Sequence, residues 1–169
     1  MKIIATITDR DVLGTEGLSH TRPRHAARGI VINQQGLMAV MYMGKFDLYC
    51  LPGGGVEGGE NVRAALKREI MEETGCSCDY VEPLAIVEEN RFCHNFTQIN
   101  HYFLVKTLSA PGETSLTYKE TQADTHVMWF PPEKARELIS AARHEQPQRR
   151  FIQARDTAIL NHYFAKSDK

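Results

Sequence analysis

The stretch Gly53–Cys76, GGGVEGGENVRAALKREIMEETGC, decides the fold. Five of the chain's twelve glycines lie between Gly53 and Gly59, directly after Leu51-Pro52. Backbone this rich in glycine reaches positive φ and lets a ligand or a second strand approach closely. A helix signal follows, with Asn61 as N-cap, good helix formers from Ala64 to Glu73, and Gly75 suited to a left-handed stop. At about 100° per residue, Val62, Ala65, Leu66 and Ile70 form one apolar stripe. Glu69 and Glu73 project into that stripe and Glu72 lies on its edge, whereas Arg63, Lys67 and Arg68 fall on other sides. Ionised carboxylates left dry and unpaired cost several kcal/mol each, or their pKa values rise until they neutralise. A solvated acidic patch with pairs such as Arg68 to Glu72 is the plain alternative. The glycine loop, the spacing and the face placement together favour a divalent cation, and carboxylate oxygens suit Mg²⁺, Ca²⁺ or Mn²⁺.

Working outward, Met1–Thr8 reads as a first strand and Leu13–Arg22 as a loop. Arg22, Arg24, His25 and Arg28 form a basic cluster leading into a strand at Ala26–Ile32. Asn33–Gly36 turns the chain into Leu37–Met43, Gly44-Lys45 is a second turn, and Leu48–Leu51 delivers the chain to the glycines. Beyond the helix, Tyr80–Glu89 and Gln98–Thr107 read as strands, with Arg91, His94 and Asn95 at the tip of the loop between them. Ala110–Thr125 is a long polar loop, a class often functional. His126–Phe130 is the last strand. Pro131-Pro132 opens a helix over Glu133–Ala142, Gln146–Arg150 breaks it, and Phe151, Ile152, Ile159, Leu160 and Phe164 recur at helical spacing. Strand–helix–strand order of this kind gives an α/β fold in layers, with a mixed sheet between helices. The whole of residues 1–169 reads as one domain.

Composition narrows the partners. The chain is 42% hydrophobic and 24% charged, ordinary for a soluble globular protein. Its net charge of -1 lacks the basic surplus of a nonspecific nucleic-acid binder. The four cysteines, Cys50, Cys76, Cys78 and Cys93, form neither a disulfide framework nor a CxxC zinc pair. The start, MKIIATITDRD, is too short in apolar residues for a signal peptide, and no run is long enough to span a membrane. The expected compartment is the cytoplasm.

The residues Gly54, Glu60, Arg68-Glu69-Ile70, Glu72-Glu73 and Gly75-Cys76, at their fixed spacings, resemble the complete signature of the Nudix (MutT-like) hydrolases. The resemblance implies an α/β/α sandwich with a mixed β-sheet. It implies that Glu69, Glu72 and Glu73 bind Mg²⁺ or Mn²⁺ with help from the Gly54 carbonyl, that Glu60 lies close by, and that Arg68 orients a carboxylate of the cluster. Its substrates are nucleoside diphosphates linked to a further group, hydrolysed by water at phosphorus. Relatives draw the general base from a motif glutamate or from a later loop. Here that points to Glu72, or to Glu120 in the Ala110–Thr125 loop with Asp124 behind it. Arg24, Arg28 and Arg91 are the candidate phosphate contacts. The region Arg91-Phe92-Cys93-His94 lacks the proline of the family's ADP-ribose enzymes and the tyrosine of its dinucleoside polyphosphate enzymes. That leaves a canonical or oxidised (deoxy)nucleoside triphosphate in front. A nucleotide-sensing module without turnover and an RNA-end pyrophosphohydrolase are the alternatives.

Overall fold

The computed structural model describes residues 1–167, and for 79, 80 and 167 the backbone only. Eight strands form one sheet: β1 (Ile3–Thr8), β2 (Arg24–Ile32), β3 (Met38–Met43), β4 (Leu48–Cys50), β5 (Gly53–Gly55), β6 (Cys78–Arg91), β7 (Phe96–Thr107) and β8 (Thr125–Phe130). The strand order is β1-β6-β7-β2-β3-β4, with β5 paired to β2 and β8 to β3. The pairs β1–β6 and β2–β7 are parallel and the others antiparallel, so the sheet is mixed. The helices are α1 (Asp9–Leu13), α2 (Val62–Thr74), α3 (Tyr118–Gln122), α4 (Pro132–Ala141) and α5 (Pro147–Ser167).

Alternation along the strands assigns each side chain to a layer. Ala27 and Val31 of β2, with Phe103 and Val105 of β7, face α2 and meet its stripe of Ala65, Leu66 and Ile70. On the opposite face Ile30, Val40, Val87 and Tyr102 meet Ala135 and Ile139 of α4 and Ile159 and Leu160 of α5. The result is the expected α/β/α sandwich.

Differences from the sequence reading are local and have physical causes. The glycine run contains strand β5, because glycines without Cβ atoms can lie against β2 at Ala27↔Gly54 and Arg28↔Gly53. The strands β6 and β7 extend to a three-residue turn at Phe92–His94, so half of the expected Asn90–Thr97 loop is sheet. Asp9–Leu13 and Tyr118–Gln122 are short helices with capping boxes at Thr8 and Thr117, a signal too brief for periodicity to reveal. The helix α5 begins at Pro147, inside the segment read as a break. No helix of the described residues is long and apolar enough to cross a membrane.

Gly53 has a φ of +129°, and a Cβ there would stand 2.2 Å from the Ala27 carbonyl and 2.6 Å from Arg28 Cα. Both are backbone atoms that cannot turn aside. Gly53→Ala is therefore expected to lower unfolding stability by ~3 kcal/mol or more in urea denaturation. A wild-type midpoint in that variant would remove the packing argument for β5.

Candidate active site

The site forms where β5 delivers its glycines against the last two turns of α2. Asn61 caps the helix, its side chain accepting from Ala64 N at 3.0 Å, and Gly75 ends it in the left-handed conformation (φ 67°). Between these ends Glu69, Glu72 and Glu73 project from one side. A Cβ on Gly54 would lie 2.3 Å from Glu69 Oε1, so only glycine lets that carboxylate lie against β5. The Gly53 N–H donates to Glu73 Oε2 at 2.6 Å.

Arg68 enters the cluster, although a helical wheel places it outside the acidic stripe. Its long side chain folds back, and its guanidinium donates to Glu60 (2.8 Å), Glu69 (2.9 Å), Glu72 (3.0 Å) and the Gly55 carbonyl (3.1 Å). The plain Arg68–Glu72 pair thus exists, as one part of a wider network. These contacts, led by the hydrogen bond to Glu60, hold Arg68 firmly protonated. In return Arg68, aided by the Glu57 N–H, holds the Glu60 carboxyl below its ordinary pKa.

Glu73 stands outside that arrangement. It is 7% exposed, and none of Arg68's contacts reach it. Burial pushes its carboxyl up to about 8, against the opposing Gly53 hydrogen bond, with the charges of Glu69 and Glu120 adding to the rise. Glu69 is raised mainly by burial, and Glu72 and Glu120 add to that shift against Arg68. The later loop that carries Glu120 lies against the end of α2. The loop is tied to α2 by Gly112 N to the Gly75 carbonyl (3.1 Å) and Ser115 N to the Glu72 carbonyl (2.7 Å). Glu120 also closes the α3 capping box, accepting from Thr117 N at 2.6 Å. Asp124 pairs instead with His126 at 2.8 Å.

The donor set fits a hard divalent cation. Glu60, Glu69, Glu72, Glu73 and the Gly54 carbonyl offer only oxygen, and one guanidinium is too little charge for the carboxylates gathered there. Among the described residues no three His, Cys, Asp or Glu side chains are gathered closely enough to enclose an ion as they stand. Arg68 meets one oxygen each of Glu69 and Glu72, which leaves the other oxygen of each carboxylate outside its contacts.

The candidate phosphate contacts divide. Arg24 is exposed and lies 6.0 Å from the Phe96 ring, beside Gly55. Arg28 is turned inward and donates to Asn100 Oδ1 (3.0 Å) and the Gly53 carbonyl (2.7 Å). Its role is to brace the loop. Arg91 corrects the sequence reading: it ends β6 rather than standing at a loop tip. It is buried, pairs with Glu89 through Nε (2.7 Å) and Nη2, and packs over Phe96 and Phe151. Arg91 is thus already committed inside the protein.

Sequence reasoning missed the polar network behind this wall. Glu89 accepts from Arg91, from Asn100 (3.0 Å) and from Arg155 (3.3 Å). Asp156 accepts from Arg155 (2.9 Å), from the Tyr102 hydroxyl and from Leu51 N (2.9 Å). Burial works to raise Glu89, but Arg155 and Arg91 outweigh it and the carboxyl is lowered. The network reaches the site through Asn100 and Arg28 to the peptide of Gly53, which itself holds Glu73.

A sequence model of the NUDIX domain matches residues 22–154 of this chain. Over 73 residues the chain is 36% identical to a Caenorhabditis elegans protein provisionally named nudix hydrolase 1, a match covering 40% of this chain and 20% of that protein. The shared stretch is thus about a fifth of the relative's length. Among solved structures, a NUDIX hydrolase from Nitrosomonas europaea aligns with a TM-score of 0.63 at 19% identity, covering 86% of this chain and 90% of its own. A MutT NUDIX hydrolase from Burkholderia pseudomallei aligns with a TM-score of 0.56 at 18% identity, covering 80% and 98%. At such identities the two structures speak for the fold alone.

Proposed function

Because the chain belongs to the NUDIX domain family, we propose that it is a metal-dependent hydrolase of the pyrophosphate linkage in nucleoside diphosphate-X compounds, with a canonical or oxidised (deoxy)nucleoside triphosphate as substrate. The observation that carries this reading is Glu73, a buried carboxyl that accepts from the Gly53 N–H and lies outside the reach of Arg68. A buried carboxyl without a cationic side chain on it is costly to ionise, and a bound metal ion removes that cost.

Glu69, Glu72 and Glu73, with the Gly54 carbonyl, are the ligands for Mg²⁺ or Mn²⁺, and Glu60 steadies them. When bound, the ion supplies charge neutralisation at the anhydride and makes water more acidic. Arg68 fixes the directions of Glu60, Glu69 and Glu72. The Gly53 N–H aims one oxygen of Glu73. Glu120 takes the proton from the attacking water, and Glu72 is the second candidate for that step. Arg24, exposed beside Gly55, is positioned to meet a phosphate. Phosphoryl transfer asks little more of a protein than positioning and charge stabilisation, which these residues can provide.

The RNA-end alternative loses support at Arg28, which is turned inward to Asn100 and the Gly53 carbonyl. The small soluble substrate and the free thiols at Cys50, Cys76, Cys78 and Cys93 agree with a cytoplasmic setting. The deciding experiment incubates the protein with a panel of nucleoside triphosphates, including oxidised ones, in Mg²⁺, Mn²⁺ or EDTA, and reads products by mass. The expected result is a nucleotide fragment plus phosphate or pyrophosphate, formed only with metal. Tight nucleotide binding with no product would instead identify a sensing module.

A further inference from the structure

A cleft of about 390 Å³ is lined by Lys45, Phe46, Tyr118, Lys119, Glu120, Gln122 and Gln148 among others. That volume falls within the roughly 300–1,000 Å³ of sites for small organic ligands. Its walls come from the β3–β4 turn, from α3 and from the first turn of α5. From this placement we infer that the cleft takes the nucleoside end of a nucleoside polyphosphate, with the phosphates running past Lys45 and Lys119 to Glu120 and the motif carboxylates. This inference rests on the hydrolase reading and adds to it the place of the base.

Three observations carry it. The first is aromatic surface. Tyr118 is 78% exposed, the most exposed of the large apolar side chains among the described residues, on a helix of five residues. Phe46 is held by the Arg149 guanidinium, 4.3 Å from its ring centre. An exposed tyrosine and a half-buried phenylalanine lining one cleft suit a flat heterocycle, and base–aromatic stacking is tolerant of base identity. The second is charge. Lys45 and Lys119 have no ion-pair partner among the described residues. Unpaired at the wall of the cleft, they are available to an anionic ligand. The third is continuity. Glu120, the proposed general base, lines the cleft. The Ser115 N–H, three residues before Tyr118, donates to the Glu72 carbonyl at 2.7 Å, so the segment that walls the cleft also lies against the end of α2 that carries the acid cluster. The amides of Gln122 and Gln148 each carry a donor and an acceptor, as the edges of nucleobases require.

The test titrates a non-hydrolysable α,β-methylene nucleoside triphosphate, and separately inorganic pyrophosphate, into the wild type and into Tyr118→Ala and Phe46→Ala, all in Mg²⁺. Loss of one stacking ring is expected to weaken the nucleotide analogue roughly tenfold. Pyrophosphate, which has no base, is expected to bind all three proteins equally. In turnover the same variants are expected to raise KM for a nucleoside triphosphate and to leave kcat near wild type. If the wild type hydrolyses nucleotides and both variants keep its KM and analogue affinity, the cleft assignment falls and the hydrolase reading stands. If the wild type neither binds the analogue nor forms product, both fall together. Equal weakening of nucleotide and pyrophosphate would also overturn the assignment, because the damage would then lie with the phosphates or the fold.

Discussion

Glu73→Gln is expected to fold normally and to lose turnover in Mg²⁺ by roughly a thousandfold, about 4 kcal/mol of transition-state stabilisation. The substitution is nearly isosteric and keeps an oxygen to accept the Gly53 N–H, so β5 and α2 stay together. What it removes is the negative charge that the proposed ion needs. The same variant gives a thermodynamic readout independent of activity. In metal-free protein the Glu73 carboxyl is raised to about 8 by burial and by Glu69 and Glu120, while in the unfolded chain it titrates in the ordinary carboxylate range. Between those two pH values the folded state binds more protons than the unfolded state, so the contribution of this group to stability falls as pH rises. The loss is complete above about 8 and amounts to a few kcal/mol, on the order of 1.4 kcal/mol for each pH unit that separates the folded from the unfolded titration. Thermal unfolding from pH 5 to 9 in EDTA should therefore show the wild type losing stability relative to Glu73→Gln. Mg²⁺ should restore the wild type at high pH and leave the variant almost unmoved. Wild-type kcat in the variant, or parallel pH curves in EDTA, would falsify the role given to Glu73.

Charge placed where burial is expected is also what made the site legible in the chain. In α2 the stripe of Val62, Ala65, Leu66 and Ile70 is interrupted by Glu69 and Glu73, and the structure turns those side chains inward. A polar residue on an apolar stripe is a conflict between local rules, and such conflicts mark sites. The α5 stripe carries an equivalent conflict. Arg155 and Asp156 lie one turn after Phe151 and Ile152, one turn before Ile159 and Leu160, and all six are buried or half-buried. That signal was present and points to a buried ion pair. Glu89 was legible only as one residue of an alternating strand. Its partners Asn100 and Arg155 come from elsewhere in the chain, and no spacing rule links them. Arg68 illustrates a different limit: a helical wheel tracks Cβ directions, and a long flexible side chain can reach around the helix. Glu120 could be proposed from its loop, but its capping of α3 and its charge on Glu73 depend on how Gly112 and Ser115 tie that loop to α2.

The second large effect is expected at Asp156. Asp156→Ala removes the acceptor for the Leu51 N–H, the Tyr102 hydroxyl and Arg155 Nε together. Arg155 is 2% exposed and would keep only Glu89, which it already shares with Arg91. A buried charge left without its partner costs on the order of 3–5 kcal/mol, and the orphaned Leu51 N–H and Tyr102 hydroxyl add to that cost. For a domain of this size the melting temperature should fall by on the order of 10 °C. Asp156→Asn separates the contributions: its one amide oxygen can still accept from Leu51 N, its NH2 can donate to the Tyr102 hydroxyl, and it offers Arg155 no charge, so its stability should lie between the two. The double variant Arg155→Met with Asp156→Leu removes both charges and should recover part of the loss, because an apolar pair needs no partner. Leu51 stands two residues before Gly53, and Gly53 holds Glu73, so the network sets the position of β5 as well as the stability of α5. Asp156→Asn, measured well below its melting temperature, should therefore bind Mn²⁺ more weakly than the wild type while remaining folded. Unchanged stability in Asp156→Ala, or unchanged Mn²⁺ affinity in Asp156→Asn, would show that the acid cluster is positioned without the network beneath it.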